Sequence, residues 1–343
     1  MKQTNFFLHI SKIILFSGIL VATASARAEL KVVTTIKPLH SLISNVMDGV
    51  GEPGLIIDGS ISPHSFTMKP SHAKMLEEAD VIFWIGEGIE TSMEEPLDSI
   101  AKDAEVIEFM ELDSIAKLKF REESIFGDHD DHDDHDDHDD HDDHDDHDDH
   151  DDHDDHDDHD DHDDHDDHAG HEGHNHGEFD AHIWLDPSNA KEMVHEIAHE
   201  LGDLDPANKE KYEANAEATI KALDQLISDV GTDINSDAKF VVFHDAYQYF
   251  EERFGVRAAG ALTLNTDVLP GAKQIADIQD VIKDKGIKCI FSEPQFNPKI
   301  ITTIAEDMNI KTGVFDPLGA NIDPGKSLYF KLISNLGNEL KGC

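Results

Sequence analysis

Between residues 30 and 85, short apolar runs alternate with segments of helical periodicity. The runs at 30–35, 54–57 and 81–85 are rich in β-branched and aromatic residues, and we predict a strand at each of them. The segments at 38–47 and 70–79 predict helices, the second of them opened by proline. Because the run at 81–85 is wholly apolar, we expect a parallel sheet that is covered by helices on both faces.

The second half of the chain repeats this alternation. Its apolar runs predict strands at 240–243, 256–261, 288–291 and 312–315. Its periodic segments predict helices at 246–254, 271–285, 298–308 and 326–340. Alternating strands and helices are typical of a doubly wound α/β lobe, in which a ligand binds outside the carboxyl ends of the strands.

Two helical patterns separate these halves. The first runs over 187–202, and the second runs over 207–230 with no Pro and no Gly before residue 231. The second is long enough to cross from one lobe to the other. The predicted fold class is therefore α/β, with two doubly wound lobes joined by one long rigid helix. We predict a signal peptide at 1–28, an N-terminal lobe at 29–205, a bridging helix at 206–236 and a C-terminal lobe at 237–343.

The N-terminal residues read as an export signal. Lys2 and Lys12 precede an apolar stretch at 13–22 that is too short to span a bilayer. Ala26-Arg27-Ala28 has the small-x-small form of a cleavage site, so we expect an exported chain that begins at Glu29.

The predicted N-terminal lobe contains a loop at 128–177 in which His-Asp-Asp repeats from His129, through His132, to His168. His171, His174 and His176 extend it. Because the repeat holds nothing apolar, we expect it to be disordered without metal and to bind several zinc ions weakly, as imidazole suits zinc. The loop supplies 28 of the 48 net negative charges, and the remaining −20 still argues against nucleic acid as a partner.

Two candidate ligands follow predicted strands of the second lobe. His244 comes directly after 240–243 and Asp316 directly after 312–315, so we expect both on one rim of the sheet. In the first lobe, His64 follows the strand at 54–57, and His182 lies just after the loop. Three imidazoles and one carboxylate fit four-coordinate zinc. A single His at such a position is also typical of a core or surface residue. His40 and His72 are further candidates, each expected either at the surface or at the edge of the cleft, and of the two His40 could approach the site.

An enzyme is the main alternative. His195-Glu196-Ile197-Ala198-His199 fits the H-E-x-x-H pattern of zinc proteases, in which Glu196 would be the general base. The match is short and lies in a helix rich in Glu, Lys and His, and no substrate pocket can be assigned around it, so a solvated helix face explains it better. We expect no catalytic step, and we keep the metalloprotease as the alternative hypothesis.

The two cysteines, Cys289 and Cys343, are expected to be bridged, since paired cysteines in an exported chain are usually oxidised.

The chain resembles the ZnuA-type zinc-binding proteins, which belong to the cluster A-I family of ABC-transporter substrate-binding proteins. Seven segments carry the resemblance: 35–39, 63–66 with 70–71, 182–187, 205–208 with 212–215, 243–247, 292–295 and 315–319. The resemblance implies that His64, His182 and His244 bind the metal and that Cys289 and Cys343 form a disulfide. It places Asp316 at a position that is a ligand in some members and is replaced by water or another group in others.

The same resemblance implies a function and a partner. Family members of this kind capture zinc and deliver it to an ABC-transporter permease in the inner membrane, so we expect a periplasmic, monomeric receptor. Manganese-type relatives have a carboxylate where this chain has His244, and imidazole favours zinc. Some zinc members carry Glu before the first His, where this chain has Pro63, which leaves Asp316 and water as alternatives for the fourth position. Besides the transport receptor and the metalloprotease, a zinc chaperone or storage protein that works without a transporter is a third hypothesis.

Overall fold

The computed structural model describes residues 30–126, 178–264, 266 and 270–343. The predicted signal peptide and the His/Asp-rich loop lie outside these residues, as do the candidate ligands of that loop, His129, His132, His168, His171, His174 and His176.

Two four-stranded parallel sheets form the framework of the molecule. The strands of the first sheet are β1 (Val32–Ile36), β2 (Gly54–Ile57), β3 (Val81–Trp84) and β4 (Glu105–Glu108). Their order is β2-β1-β3-β4, and Thr34 lies opposite Leu55 and Phe83. β1 and β3 are buried along their whole length, as expected for a parallel sheet with helices on both faces.

The second sheet repeats this arrangement. Its strands are β5 (Phe240–His244), β6 (Ala261–Thr263), β7 (Cys289–Ser292) and β8 (Lys311–Val314), in the order β6-β5-β7-β8. β5 is the counterpart of β1, because each is an internal strand at which the strand order reverses. A ligand is expected at such a reversal, outside the carboxyl ends of the strands.

Ten α-helices accompany the sheets within the described residues. They are α1 (Lys37–Val46), α2 (Pro70–Glu77), α3 (Glu87–Glu90), α4 (Glu94–Ile100), α5 (Pro187–Leu204), α6 (Lys209–Asp233), α7 (Gln248–Phe254), α8 (Ala272–Asp284), α9 (Lys299–Met308) and α10 (Leu328–Leu340). The start of α5 is fixed by its sequence: Pro187 occupies the first turn, and the Asp186 carboxylate accepts a hydrogen bond from the Ser188 amide at 2.7 Å.

The long helix α6 contacts helices of both lobes. It has 25 residues, which is about 37 Å at 1.5 Å per residue. Its buried side chains recur every three or four positions: Tyr212, Ala216, Thr219, Leu223, Leu226 and Val230. This stripe packs against α5, α1 and α10. In the described part of the chain, no helix combines the length and the apolar character needed to cross a bilayer.

Two strands and two short helices differ from the prediction, since α3 and α4 were not predicted. β4 was not predicted, because Glu105-Val106-Ile107-Glu108 lies at the edge of its sheet and is only partly buried, so it lacks a long apolar run. The strand expected at 256–261 begins later, as β6. The preceding residues still approach β5, since the Ala259 amide donates to the Phe240 carbonyl at 2.9 Å.

Cys289 and Cys343 are joined by a disulfide, which confirms the expected pairing. The bond connects β7 to a residue 54 positions further along the chain. Closing a loop of this length stabilises a fold by about 4 kcal/mol in the chain-entropy model.

Candidate metal centre

Three histidines from distant parts of the sequence meet between the two lobes. The ring centroids of His182 and His244 are 4.9 Å apart, and His64 lies 5.5 Å from each of them. Each ring offers one nitrogen to a group whose ligand atoms all lie within 4.8 Å of one another. The structure therefore brings together the three imidazoles that the sequence singled out.

Each histidine is held by a different local structure. His64 lies in the short 3-10 turn Pro63–Ser65, which follows β2. His182 immediately precedes the 3-10 turn Ile183–Leu185, and its ring contacts Trp184 with centroids 5.3 Å apart. His244 is the last residue of β5. The first two belong to the first lobe and the third to the second lobe, so a bound ion would join the lobes.

Asp180 fixes the orientation of the His182 ring. Its Oδ1 lies 2.7 Å from His182 Nδ1 and also accepts a hydrogen bond from the His182 amide at 3.0 Å. A carboxylate that accepts the Nδ1 proton leaves Nε2 with a free lone pair, as in metal-bound histidines generally. Burial, followed by the charge of His244, lowers the pKa of His182 well below its usual value, so this ring is neutral and ready to bind a cation.

Glu293 lies beside His244, as Asp180 lies beside His182. Its Oε2 is 3.6 Å from His244 Nδ1, and both side chains are at least 95% buried. Burial acts to lower the pKa of His244, but the charge of Glu293, with that of Asp245 and Asp180, outweighs burial and raises it. Below its raised pKa, His244 therefore carries a proton that must leave before the ring can bind a metal, unlike His182.

The space between the three rings suits one small ion. The cavity has a volume of about 10 Å³, which is room for about one water-sized particle. Among the described residues, three buried atoms around it have no hydrogen-bond partner: His244 Nδ1, Glu293 Oε1 and Gln295 Oε1. Such atoms are costly to bury and indicate that a further species completes the site. Three imidazole nitrogens with one open position fit zinc.

Asp316 is not part of this cluster. Its Oδ2 accepts a hydrogen bond from the Ala320 amide at 2.6 Å, and its Oδ1 accepts from the Leu318 amide at 3.2 Å and from Gln295 Nε2 at 3.1 Å. The carboxylate thus stabilises its own turn. It follows β8, an edge strand separated from β5 by β7, whereas Glu293 follows β7 itself and lines the cavity.

The other sequence candidates lie elsewhere. His40 Nε2 contacts the Pro53 carbonyl at 3.2 Å, and His72 Nδ1 accepts from the Lys69 amide at 3.3 Å. On α5, the ligand atoms that converge belong to Glu196, His199 and Glu200, not to both histidines of the H-E-x-x-H pattern. The His195 and His199 side chains are exposed.

Sequence reasoning assigned no role to Asp180 or Glu293, although Glu293 occurs in one of the segments that carry the family resemblance. Glu293 could have been found by the rule that found His244, since each stands at the carboxyl end of an internal strand of the second sheet. Asp180 gave a weaker signal, because it lies in no strand and acts through a side-chain contact two residues away.

The chain is similar to proteins of one family over nearly its whole length. Residues 32–343 match the ZnuA family, described as zinc-uptake complex component A, periplasmic. The high-affinity zinc uptake system protein ZnuA of Brucella abortus (strain 2308) is 49% identical over 314 residues, which is 91% of each chain.

Solved structures share the fold at lower identity. A crystal structure of ZnuA matches with a TM-score of 0.66 and 20% identity over 90% of this chain and 98% of its own. The binding protein FpvC from Pseudomonas aeruginosa, in complex with Mn²⁺, matches with a TM-score of 0.67 and 20% identity over 92% of this chain and 99% of its own. The shared fold alone therefore does not identify the metal that is bound. The sequence matches do establish the family: this chain belongs to the ZnuA family of periplasmic zinc-uptake components.

Proposed function

We propose that this protein captures one zinc ion between its lobes through His64, His182 and His244 and delivers it to the permease of an ABC-type zinc importer. The observation that carries the proposal is the convergence of three imidazoles around a cavity the size of one ion. The curated relatives are named high-affinity zinc uptake system proteins, and the family is periplasmic.

The ligand set supports zinc as the cargo. All three converging side chains are imidazoles, whereas manganese prefers carboxylate, carbonyl and water oxygens. Water is the better candidate for the fourth position, because the Asp316 carboxylate already accepts three hydrogen bonds. A nanomolar Kd at this site would correspond to about −12 kcal/mol of binding free energy.

Calorimetry tests the proposal directly. Zinc titrated into the metal-free protein should bind tightly at one site, and the triple variant H64A/H182A/H244A should lose that binding. Manganese should bind far more weakly than zinc. Undiminished tight zinc binding by a folded triple variant would refute the assignment.

The His/Asp-rich loop is proposed to bind additional zinc ions weakly and to raise the local zinc concentration near the cleft. Deleting residues 128–176 should lower the number of bound zinc ions and leave the tight site intact. Loss of the tight site in a folded deletion variant would contradict this division of labour.

The storage hypothesis and the receptor hypothesis predict different phenotypes. A receptor restores growth under zinc limitation only when the importer is present, and a storage protein acts without it. We also propose that the signal peptide is cleaved after Ala28. N-terminal sequencing of the protein isolated from the periplasm of the same cells should then begin at Glu29.

A further inference from the structure

Residues 118–126, here called the strap, extend the edge of the second sheet. The Phe126 amide donates to the Ala259 carbonyl at 3.1 Å, and the Ala261 amide donates to the Ser124 carbonyl at 2.8 Å. These bonds form an antiparallel bridge between Ile125 and Gly260. The strap leaves the first lobe after β4, so its attachment here ties the first lobe to the edge of the second.

The attachment depends on a glycine. A Cβ at position 260 would lie 2.7 Å from the Ser124 carbonyl oxygen. Real Cβ atoms do not approach backbone oxygens so closely, so only Gly260 admits the strap at this distance.

The other end of the strap is bonded to the turn that carries His182. The Asp180 amide donates to the Leu118 carbonyl at 2.8 Å. The Tyr249 hydroxyl joins the same two residues, since it accepts from the Leu118 amide at 2.9 Å and donates to the Asp180 carbonyl at 2.5 Å. Asp180 is the residue that orients the His182 ring, so the strap contacts the metal centre from the first-lobe side.

Arg121, in the middle of the strap, binds two acids of the second lobe. Its Nη1 donates to Asp245 Oδ1 at 2.8 Å, and its Nη2 donates to Glu251 Oε2 at 2.6 Å. The Arg121 side chain is 16% exposed, and those of Asp245 and Glu251 are 7% and 3% exposed. The guanidinium also lies 4.1 Å from the ring centroid of Phe126. Hydrogen bonds to charged partners in such buried surroundings fix the geometry of both sides.

Asp245 directly follows His244 in the chain. We propose that Arg121 is a positioning residue of the metal centre: by holding Asp245 while the strap holds Asp180, it fixes His244 and His182 relative to each other and slows the release of the bound ion. The proposal deepens the proposed zinc-capture function and rests on it. Arg121 does not contact the ion. It acts through the residues next to two of the ligands.

The test compares two arginines that each bind a carboxylate across the lobes. Arg253 of α7 binds Asp186 through Nε at 2.6 Å and through Nη2 at 2.8 Å, but Asp186 caps α5 and lies beyond the 3-10 turn that follows His182. The variants are R121Q, R121K and the control R253Q. Zinc release is measured by stopped-flow mixing of the loaded protein with a chelator, and thermal unfolding of each metal-free protein reports the purely structural effect.

We expect R121Q to release zinc about tenfold faster than the wild type, the lower end of the effect seen when partners of metal ligands are removed. R253Q should change the release rate by no more than about twofold, because Arg253 is partly exposed and the residue it binds, Asp186, is not adjacent to a proposed ligand. R121K should also release zinc quickly, since one ammonium group cannot reproduce the planar fork. The absorption bands of bound Co²⁺ should change in R121Q and not in R253Q.

An unchanged or slower release from R121Q would overturn the inference, and so would equal acceleration in R121Q and R253Q. A wild-type release rate in R121K would show that a positive charge at this position is sufficient and that the two hydrogen bonds of the guanidinium are not required. If R121Q fails to fold, R121K against R253Q still decides between positioning and general destabilisation. Failure of the wild type to bind zinc tightly would instead refute the proposed function, so the two failures can be told apart.

Discussion

Within the described residues, two places bring potential metal-ligand atoms close together, and they differ in almost every other respect. The cleft gathers His64, His182 and His244, and the surface of α5 gathers Glu196, His199 and Glu200. In both groups the ligand atoms lie within 4.8 Å of one another. The His182 side chain is 5% exposed, whereas the His199 side chain is 63% exposed.

The difference lies in what surrounds the ligands. In the cleft, a buried acid holds the His182 ring, and burial keeps that ring neutral. On α5, the hydrogen bond with Glu200 raises the pKa of His199, and water competes with any ion. A short motif supplies ligand atoms, but distant residues that meet in a buried cleft also supply orientation and desolvation. Four experiments test this difference.

The largest effect is expected when one cleft imidazole is removed. H182A should weaken zinc binding by roughly a thousandfold, which corresponds to about 4 kcal/mol, because one of three ligands is lost. H199A is the matched control and should leave the tight site unchanged. Calorimetry on both variants provides the measurement. A large loss of tight binding in H199A would place the site on α5 and refute the contrast.

The next effect concerns the acids that contact these histidines. Asp180 Oδ1 lies 2.7 Å from His182 Nδ1, and Glu200 Oε1 lies 3.0 Å from His199 Nδ1. D180N should lower the zinc affinity by about ten- to a hundredfold, since a neutral amide is a weaker acceptor for the Nδ1 proton than a carboxylate and does not make the ring as basic. E200Q should have no effect on zinc affinity. Competition with a chromophoric chelator measures both, and equal affinities for D180N and the wild type would contradict the role of Asp180.

A smaller effect on zinc affinity is expected when the pH is lowered. The pKa of His244 is raised, so below this value a proton occupies the ring and must leave before zinc binds. Zinc affinity should therefore fall by roughly tenfold per pH unit as the pH drops through the His244 pKa, and it should level off above it. His182 adds no such dependence near neutral pH, because its pKa is lowered.

Glu293 provides the control for this pH dependence. Its charge is the first of the factors that raise the pKa of His244, so E293Q should move the fall in affinity to lower pH. Titrations of zinc at several pH values compare the variant with the wild type. An unshifted profile would show that Glu293 does not set the protonation of His244.

Finally, we expect no proteolytic activity and therefore no effect of removing Glu196, the candidate general base. The zinc-loaded protein should not hydrolyse an unfolded protein substrate, and E196Q should behave as the wild type does in zinc binding. Hydrolysis by the wild type that disappears in E196Q would support an enzyme. Peptide release measured by mass spectrometry distinguishes the outcomes.

Much of the fold followed from the sequence because the internal strands β1, β3, β5 and β7 are short, mostly apolar runs rich in β-branched and aromatic residues. β4 was missed because it is a partly polar edge strand. The approach of His64, His182 and His244 followed from the carboxyl-end rule combined with family resemblance. Asp316 was expected to lie on the same rim as His244, and it does follow its strand. Only side-chain geometry reveals that its carboxylate is occupied by backbone amides and that Glu293 stands nearer the cavity.

The helix α6 packs against α1 of the first lobe and α10 of the second. A bridge that is fastened to both partners along about 37 Å leaves little freedom for wide hinge opening. The loaded and empty molecules should then have nearly superimposable small-angle scattering profiles. An importer that distinguishes the two forms would then have to respond to local differences at the rim of the cleft, because the overall dimensions of the particle would hardly change.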